Sequence, residues 1–390
     1  MGTLTSFFGG SGGGSTAIPN ITYDLIRKAT YKSKFQITGN ENPVLIPLSD
    51  TTFVAFEGGA GSGLTAGHYT INDDGSVTTD QAQTSLSLNA RCYGGVGNSN
   101  GDILIASQTS SNERFDHINW DGSSFTLTNV TDRSNGELRH ICGTSLFNGY
   151  LIAAMAETNS TDMYVAVVDP NGTSSQSAFT SQMKYGQNRE VACTGTADGI
   201  VFMGRSSEGQ FSTVYKIGQQ YIHLGSLSGG NVTVGSSSRT TNTNNTTFSQ
   251  VYEIAVHPMR IGGAFWLASD GNNRIAKGTV FSDGMSFDYS TAGTSPMQQT
   301  SYAKAYFTQS NYGNWRQYNG TVMDAQYGAL LQIDENNGSA MPLGLSKTGI
   351  NDRDGLSIND GTSRTIQCGK YMIKAYRTTT NIIANVYEIE

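Results

Sequence analysis

The chain repeats itself. From residue 43 onward one unit recurs: a short strand with a small central residue, a turn, a strongly apolar strand, a more polar strand ending near Asp-Gly or Asn-Gly, and a Thr/Ser-rich strand. The apolar members are Phe53-Val54-Ala55-Phe56, Ile103-Leu104-Ile105-Ala106, Leu151-Ile152-Ala153-Ala154, Ile200-Val201-Phe202-Met203 and Ala264-Phe265-Trp266-Leu267. Apolar runs this short, bounded by turn residues, are expected of strands buried on both faces. The third-to-fourth strand turns read Asp73-Asp74-Gly75-Ser76, Asp121-Gly122-Ser123, Asp169-Pro170-Asn171-Gly172, Asp283-Gly284 and Asn336-Asn337-Gly338. Hairpin turns favour Gly and Asn because both tolerate positive φ, so the aspartates here are structural first. Cys92, Cys142, Cys193 and Cys368 mark first strands, with Pro47, Ala255 and Ala305 in equivalent places, at intervals of 45 to 63 residues. Four-stranded units repeating at such intervals predict an all-β chain folded as a seven-bladed β-propeller. Small side chains suit innermost strands, which crowd the axis.

The last unit supplies three strands, at 365–368, 371–376 and 382–389. An open ring would leave an unpaired edge. Lys34-Phe35-Gln36-Ile37-Thr38-Gly39 resembles fourth strands such as Phe125-Thr126-Leu127-Thr128 and is expected to close blade seven. The domain organisation is then a short Gly-rich N-terminal leader at 1–33 and a propeller at 34–390, with 34–39 as its closing strand. Within the leader, residues 9–16 are a Gly/Ser tether, preceded by an apolar tip of Leu4, Phe7 and Phe8 and followed by a short helix near 23–29. Two readings stand: a disordered tail, or a tether whose tip docks on a partner.

Composition removes several functions. The net charge is −7 and the pI about 5.3, the opposite of a phosphate-neutralising surface, so nucleic acid is not an expected partner. No apolar run approaches the roughly 18 residues of a membrane helix, so membrane insertion is not expected. First-strand cysteines on separate blades are too far apart to bridge and are expected to be free thiols, which fits a reducing compartment. His68, His117, His140, His223 and His257 show no metal-ligand spacing, and no phosphate-binding or dinucleotide glycine motif stands out, so neither metal nor cofactor is expected. Glu113, Asp116, Glu190 and Glu253 are candidate carboxylates, but nothing singles out the pair that glycoside hydrolysis needs, and an enzyme is not expected.

Binding is expected on loops held by the rigid ring. Two long connections, 228–250 and 347–364, emerge on one face, the second carrying Asp352, Arg353 and Asp354. The opposite face receives an aromatic loop with Tyr312, Trp315, Arg316 and Tyr318. Those residues suit sugar or protein contact, or alternatively plug the bottom of blade six.

The Phe-Phe-Gly-Gly-Ser-Gly-Gly-Gly leader, the Asn/Thr/Ser-rich blades and turns such as Asp121-Gly122-Ser123-Ser124-Phe125-Thr126 resemble virion proteins of tailed bacteriophages. In those proteins a Gly-rich N-terminus precedes a tail-fibre, receptor-binding or head-decoration module. The resemblance implies a non-enzymatic structural protein assembled in host cytoplasm and carried in the virion in many copies. Its leader would contact other virion proteins, and its propeller a host-surface glycan or protein. A glycan-binding or scaffold propeller of a cell, or a glycan-active enzyme, are the alternative readings.

Overall fold

The computed structural model describes residues 29–39, 43–59, 62–134, 138–147, 149–157, 163–179, 188–195, 199–206, 211–217, 238–239, 251–258, 264–270, 275–281, 284–285, 288–289, 315–318, 321–324, 329–334, 339–342, 364–377 and 381–389. They form antiparallel sheets, with no helix among the described residues. Sheet A comprises β2 (Val44–Pro47), β3 (Thr52–Glu57), β4 (Gly63–Ile71) and β5 (Val77–Asn89). Sheet B comprises β6 (Arg91–Gly97), β7 (Asp102–Gln108), β8 (Asn112–Trp120) and β9 (Phe125–Ser134). Sheet C follows with β10 (Leu138–Phe147), β11 (Tyr150–Glu157), β12 (Met163–Val168) and β13 (Ser174–Phe179). Sheet D holds β14 (Asn188–Gly195), β15 (Gly199–Ser206), β16 (Phe211–Ile217) and β17 (Ser238–Arg239), and is joined to C by a parallel pairing of β10 with β14. Sheet E holds β18 (Val251–Pro258), β19 (Ala264–Asp270), β20 (Ile275–Phe281), β21 (Gly284–Met285) and β22 (Asp288–Tyr289). Sheet F holds β23 (Trp315–Tyr318), β24 (Thr321–Asp324), β25 (Ala329–Asp334) and β26 (Ser339–Pro342). Sheet G unites the two ends of the chain: β27 (Arg364–Cys368), β28 (Tyr371–Arg377), β29 (Ile382–Ile389) and then β1 (Ala29–Ile37).

This is a propeller-like all-β arrangement, and its core explains the sequence pattern. Successive side chains on a strand point to opposite faces. In β3, Phe53 and Ala55 pack towards sheet G, and Val54 and Phe56 pack towards sheet B. In β7, Ile103 and Ile105 face sheet A, and Leu104 and Ala106 face sheet C. Both parities must therefore be apolar, which produces continuous runs instead of alternation. Each fully buried Phe, Leu or Ile contributes roughly 1.5–3 kcal/mol. Fourth strands lie at the outside: most of β5 is exposed, and it is built of Thr, Ser and Gln.

The turns behave as their residues predict. Gly75, Gly122 and Gly172 have φ of 83°, 94° and 77°, and each sits in a third-to-fourth strand turn. The preceding aspartates serve their own loops. Asp121 Oδ1 accepts from Ser123 N, Ser123 Oγ and Ser124 N, each at 2.8 Å, and the Ser123 bond leads the lowering of its pKa to about 2. Asp169 Oδ1 accepts from Asn171 N and Thr173 N. First-to-second and third-to-fourth turns gather at one end of the sheets, here the turn end. Gly369 abuts Asp50 across sheets G and A, Tyr371 Oη donates to Asp73 O at 2.7 Å, and Gly172 of sheet C abuts Asp102 of sheet B. The other end, where first strands begin, is the entry end.

Three sequence readings change. Residues 315–318, read as an aromatic loop, form strand β23, paired with β24 through Tyr318↔Thr321 and lying beside β27. Asn319-Gly320 between them is a two-residue hairpin sequence, and Trp and Tyr favour strands. The connection at 228–250 contributes β17, which pairs with β16. The cysteines occupy first strands but at different heights: Cys92 pairs with Ser107 and Cys142 with Met155 towards the entry end, whereas Cys368 pairs with Tyr371 beside the turn. Ala305, taken as another first-strand centre, lies outside the described residues.

The segment at 34–39, read as a closing strand, overlaps β1, which starts earlier, at Ala29, and pairs antiparallel with β29 from Ala29↔Ile389 to Ile37↔Ile382. Ile37 is fully buried, and Phe35 packs against Phe53 and Tyr69 with ring centroids 5.9 and 5.7 Å away. Lys32 Nζ meets Glu388 at 2.5 Å, and Ser33 Oγ donates to Gly75 O at 2.6 Å.

A chain beginning at residue 29 is therefore expected to melt like the full chain. One beginning at residue 38 bares the β29 edge and gives up the burial of Phe35 and Ile37, about 3–6 kcal/mol. Equal melting temperatures would refute this role for β1. Cys92, Cys193 and Cys368 are buried and unbridged, and burial first, then the Asp50 charge, pushes the Cys368 thiol well above its ordinary range. Native protein should resist a thiol reagent, and denatured, unreduced protein should release four thiols; two would reveal a disulfide.

Candidate functional site

Sheet B carries most of the buried polar side chains among the described residues. At the turn end, Asp102 takes His117 Nε2 at 3.0 Å, Asn119 Nδ2 at 3.2 Å and Asn98 Nδ2 at 3.4 Å, beneath the Gly172 turn. Nearby, His68 Nδ1 meets Asp80 at 2.8 Å, and its ring stacks on Trp120 at 4.9 Å. His117 is satisfied by the buried Asp102 and His68 by the exposed Asp80. Among the described residues no three His, Cys, Asp or Glu side chains converge on a metal-sized space.

Midway along β8, Asp116 is fully buried. It accepts from Ser107 Oγ at 2.8 Å, Arg114 Nη2 at 2.6 Å and Asn129 Nδ2 at 3.3 Å. Burial alone would lower the Arg114 pKa; bonds and charges from Asp116 and Asp132 outweigh it and hold the guanidinium above its ordinary value. Glu113 is also fully buried, but its separation of three residues from Asp116 puts the two on opposite faces of β8. They are not a carboxylate pair flanking one bond. Glu190 and Glu253 lie in β14 and β18, opposite Arg205 and Ser269.

The entry end of β6 differs from these satisfied interiors. Arg91 is exposed and Tyr93 half-buried on this innermost strand. The Arg91 guanidinium lies 5.5 Å over the Tyr93 ring. Tyr93 Oη donates to Gln108 Oε1, whose amide Nε2 donates to Glu113 Oε1 at 3.4 Å. Burial above all, with Glu113 adding and Arg91 opposing, pushes the Tyr93 phenol up to about 12. At neutral pH it keeps its proton, which it donates to Gln108, and is unsuited to taking another.

Tyr93 is also the extra residue of a β-bulge. Cys92 pairs with Ser107 and Gly94 with Ala106, so Tyr93 has no counterpart on β7. Register also shifts at the same end of the next three first strands, by two extra residues in β10 and by one in β14 and β18. Residues 139–141 fall between the Leu138↔Glu157 and Cys142↔Met155 pairs, Arg189 between Asn188↔Ser206 and Glu190↔Arg205, and Tyr252 between Val251↔Asp270 and Glu253↔Ser269. Bulges of this kind re-aim side chains and cluster beside functional sites.

These are not the residues that sequence reasoning chose. Leu4, Phe7, Phe8, Tyr312, Asp352, Arg353 and Asp354 lie outside the described residues. Trp315, Arg316 and Tyr318 belong to β23 and are not in a connecting loop. The signal that was available is large or charged residues just ahead of the small ones, as in Arg91-Cys92-Tyr93-Gly94 and Arg189-Glu190-Val191-Ala192-Cys193.

No protein-family model matches the chain, and no curated protein matches it in sequence. Two solved structures are similar in fold. A protein from Lactobacillus plantarum is 15% identical, with a TM-score of 0.48 over 81% of this chain and 94% of its own. A protein described as "a putative 6-phosphogluconolactonase from Bacteroides uniformis" is 13% identical, with a TM-score of 0.46 over 77% of this chain and 83% of its own. The second corrects one expectation: with an enzyme name among structures of similar fold, the chain is no longer read as a non-enzyme.

A phenol shifted from its ordinary value near 10 to about 12 gives a pH test. The stability tied to the protonated phenol is complete below pH 10 and is lost as pH rises towards 12. Melting temperatures of wild type and Tyr93→Phe should differ by a constant up to about pH 10. Above it, wild type should lose stability faster. Parallel curves to pH 12 would show that Tyr93 titrates as an exposed phenol does.

Proposed function

We propose that the chain is a seven-bladed propeller, closed into a ring by β1, that serves a tailed-phage particle as a host-attachment module. The leader holds the module to other virion proteins, and many copies engage a host-surface glycan or protein. One observation carries this reading: the direction in which the leader departs. Ala29 pairs with Ile389 on the outermost strand of its sheet. Ser33 beside it bonds the Gly75 turn, so residues 1–28 join the propeller at its rim and turn end. The bulged mouths of the first strands lie at the entry end, on the opposite face. The leader's junction with the propeller and the entry end therefore lie at opposite ends of the sheets, which suits a module tethered on one side and binding on the other.

The tip residues Leu4, Phe7 and Phe8 give the leader something to bury. Two Phe side chains supply roughly 3–6 kcal/mol before the tether is ordered. That is weak for one copy and sufficient for a symmetric array, where avidity multiplies modest contacts.

Phe7→Ser with Phe8→Ser should strip the protein from purified particles while leaving the melting temperature of the free protein unchanged. Normal occupancy on the particle would place the anchor elsewhere.

A further inference from the structure

Sheet B carries two arginines near its entry end, on opposite faces. Arg114 of β8 is held by Asp116 at 2.6 Å and by Asp132 at 3.4 Å. Arg133 of β9 points the other way, towards sheet C, and its guanidinium carbon lies 4.1 Å from the centroid of the Tyr164 ring on β12. No carboxylate holds it: among the described residues the Arg133 side chain has no ion pair or hydrogen bond, and its Nε is buried without a partner. Buried polar groups of native proteins are nearly always bonded, so an arginine left in this state calls for an explanation.

Its surroundings show why no internal partner serves. Arg133 ends a polar row across the four strands of sheet B. Tyr93 donates to Gln108, Gln108 donates to Glu113 at 3.4 Å, and Glu113 stands opposite Arg133 in the ladder. Residues so placed are about 5 Å apart at Cβ. Glu113 is nevertheless fully buried and bonded to Gln108. Arg133 is half-buried and lies instead on Tyr164, which packs against the core between sheets B and C. Stacking engages the face of a guanidinium and leaves its edge, where the N–H donors point, unspent. With Nε buried, the two Nη groups are the ones that reach the surface.

We infer that Arg133, laid on Tyr164, anchors a carboxylate-binding site between sheets B and C at the entry end, its two Nη groups donating to the two carboxylate oxygens. A guanidinium fork matches two such oxygens at once. One negative charge fits this place better than two. Glu113 stands opposite Arg133, Asp132 precedes it and is turned to Arg114, and Glu157 ends β11 two places beyond Met155, the ladder partner of Tyr164. Acids at these positions oppose a phosphate dianion more than a carboxylate. The site goes beyond the attachment reading and does not depend on it.

The test follows the Arg133 Nε–H resonance of the full chain in proton–nitrogen correlation spectra, assigned by its loss in Arg133→Lys. Sodium acetate and sodium phosphate are titrated against sodium chloride at fixed ionic strength and about pH 8, where phosphate is mainly a dianion. Acetate should shift the resonance along a saturating curve, and phosphate should bind at least about threefold more weakly. Acetate should also raise the melting temperature of wild type relative to chloride. Folded Arg133→Gln should lose that rise, and Arg133→Lys, which keeps the charge but not the fork, should need about tenfold more acetate for it. A resonance that moves in proportion to acetate and chloride alike would mean an adventitious ion only and would overturn the inference. So would phosphate binding as tightly as acetate, or a folded Arg133→Gln that keeps the acetate effect.

Discussion

Everything in this fold depends on sheets packed face to face through strands buried on both sides. In β3 and β7 adjacent residues serve opposite neighbours: Phe53 and Ala55 look to sheet G, Val54 and Phe56 to sheet B, Ile103 and Ile105 back to sheet A, Leu104 and Ala106 on to sheet C. Among the described residues, sheets G and A, A and B, and B and C each share one core. Space at the inner strands is correspondingly tight. A Cβ on Gly95 would lie 2.4 Å from Ile46 Cδ1, and one on Gly97 2.4 Å from Leu48 Cδ2.

That packing explains where polarity is tolerated. Asp102 with His117, and Asp116 with Ser107 and Arg114, are buried but saturated with hydrogen bonds, which a low-dielectric interior requires. The turn aspartates are likewise occupied by their own backbones. At the entry end of β6, β10, β14 and β18 regular pairing gives way to register shifts.

Much of the fold was legible because its signals are local. The apolar runs at 103–106 and 151–154, the Asp-Gly turns and the three last strands each declare themselves within a few residues. The sixth unit was misread because its first strand, Trp-Arg-Gln-Tyr, is short, polar in the middle and bracketed by Gly313-Asn314 and Asn319-Gly320, so strand and aromatic loop look alike. The cysteines were informative about strand type but not about height, since Cys, Ala and Gly all satisfy the same crowding.

By itself, the sequence determined an all-β chain of repeated four-stranded units, the place of the buried second strands, and the positive-φ glycines of the hairpins. All follow from side-chain periodicity and backbone sterics within one strand or turn. Only the tertiary structure decided that β1 begins at Ala29, that Glu113 and Asp116 stand on opposite faces, and that Tyr93, Arg189 and Tyr252 are extra residues in their ladders. Register is a relation between two strands. A residue becomes a bulge only when its neighbours find partners and it does not, and no single stretch of sequence contains that information.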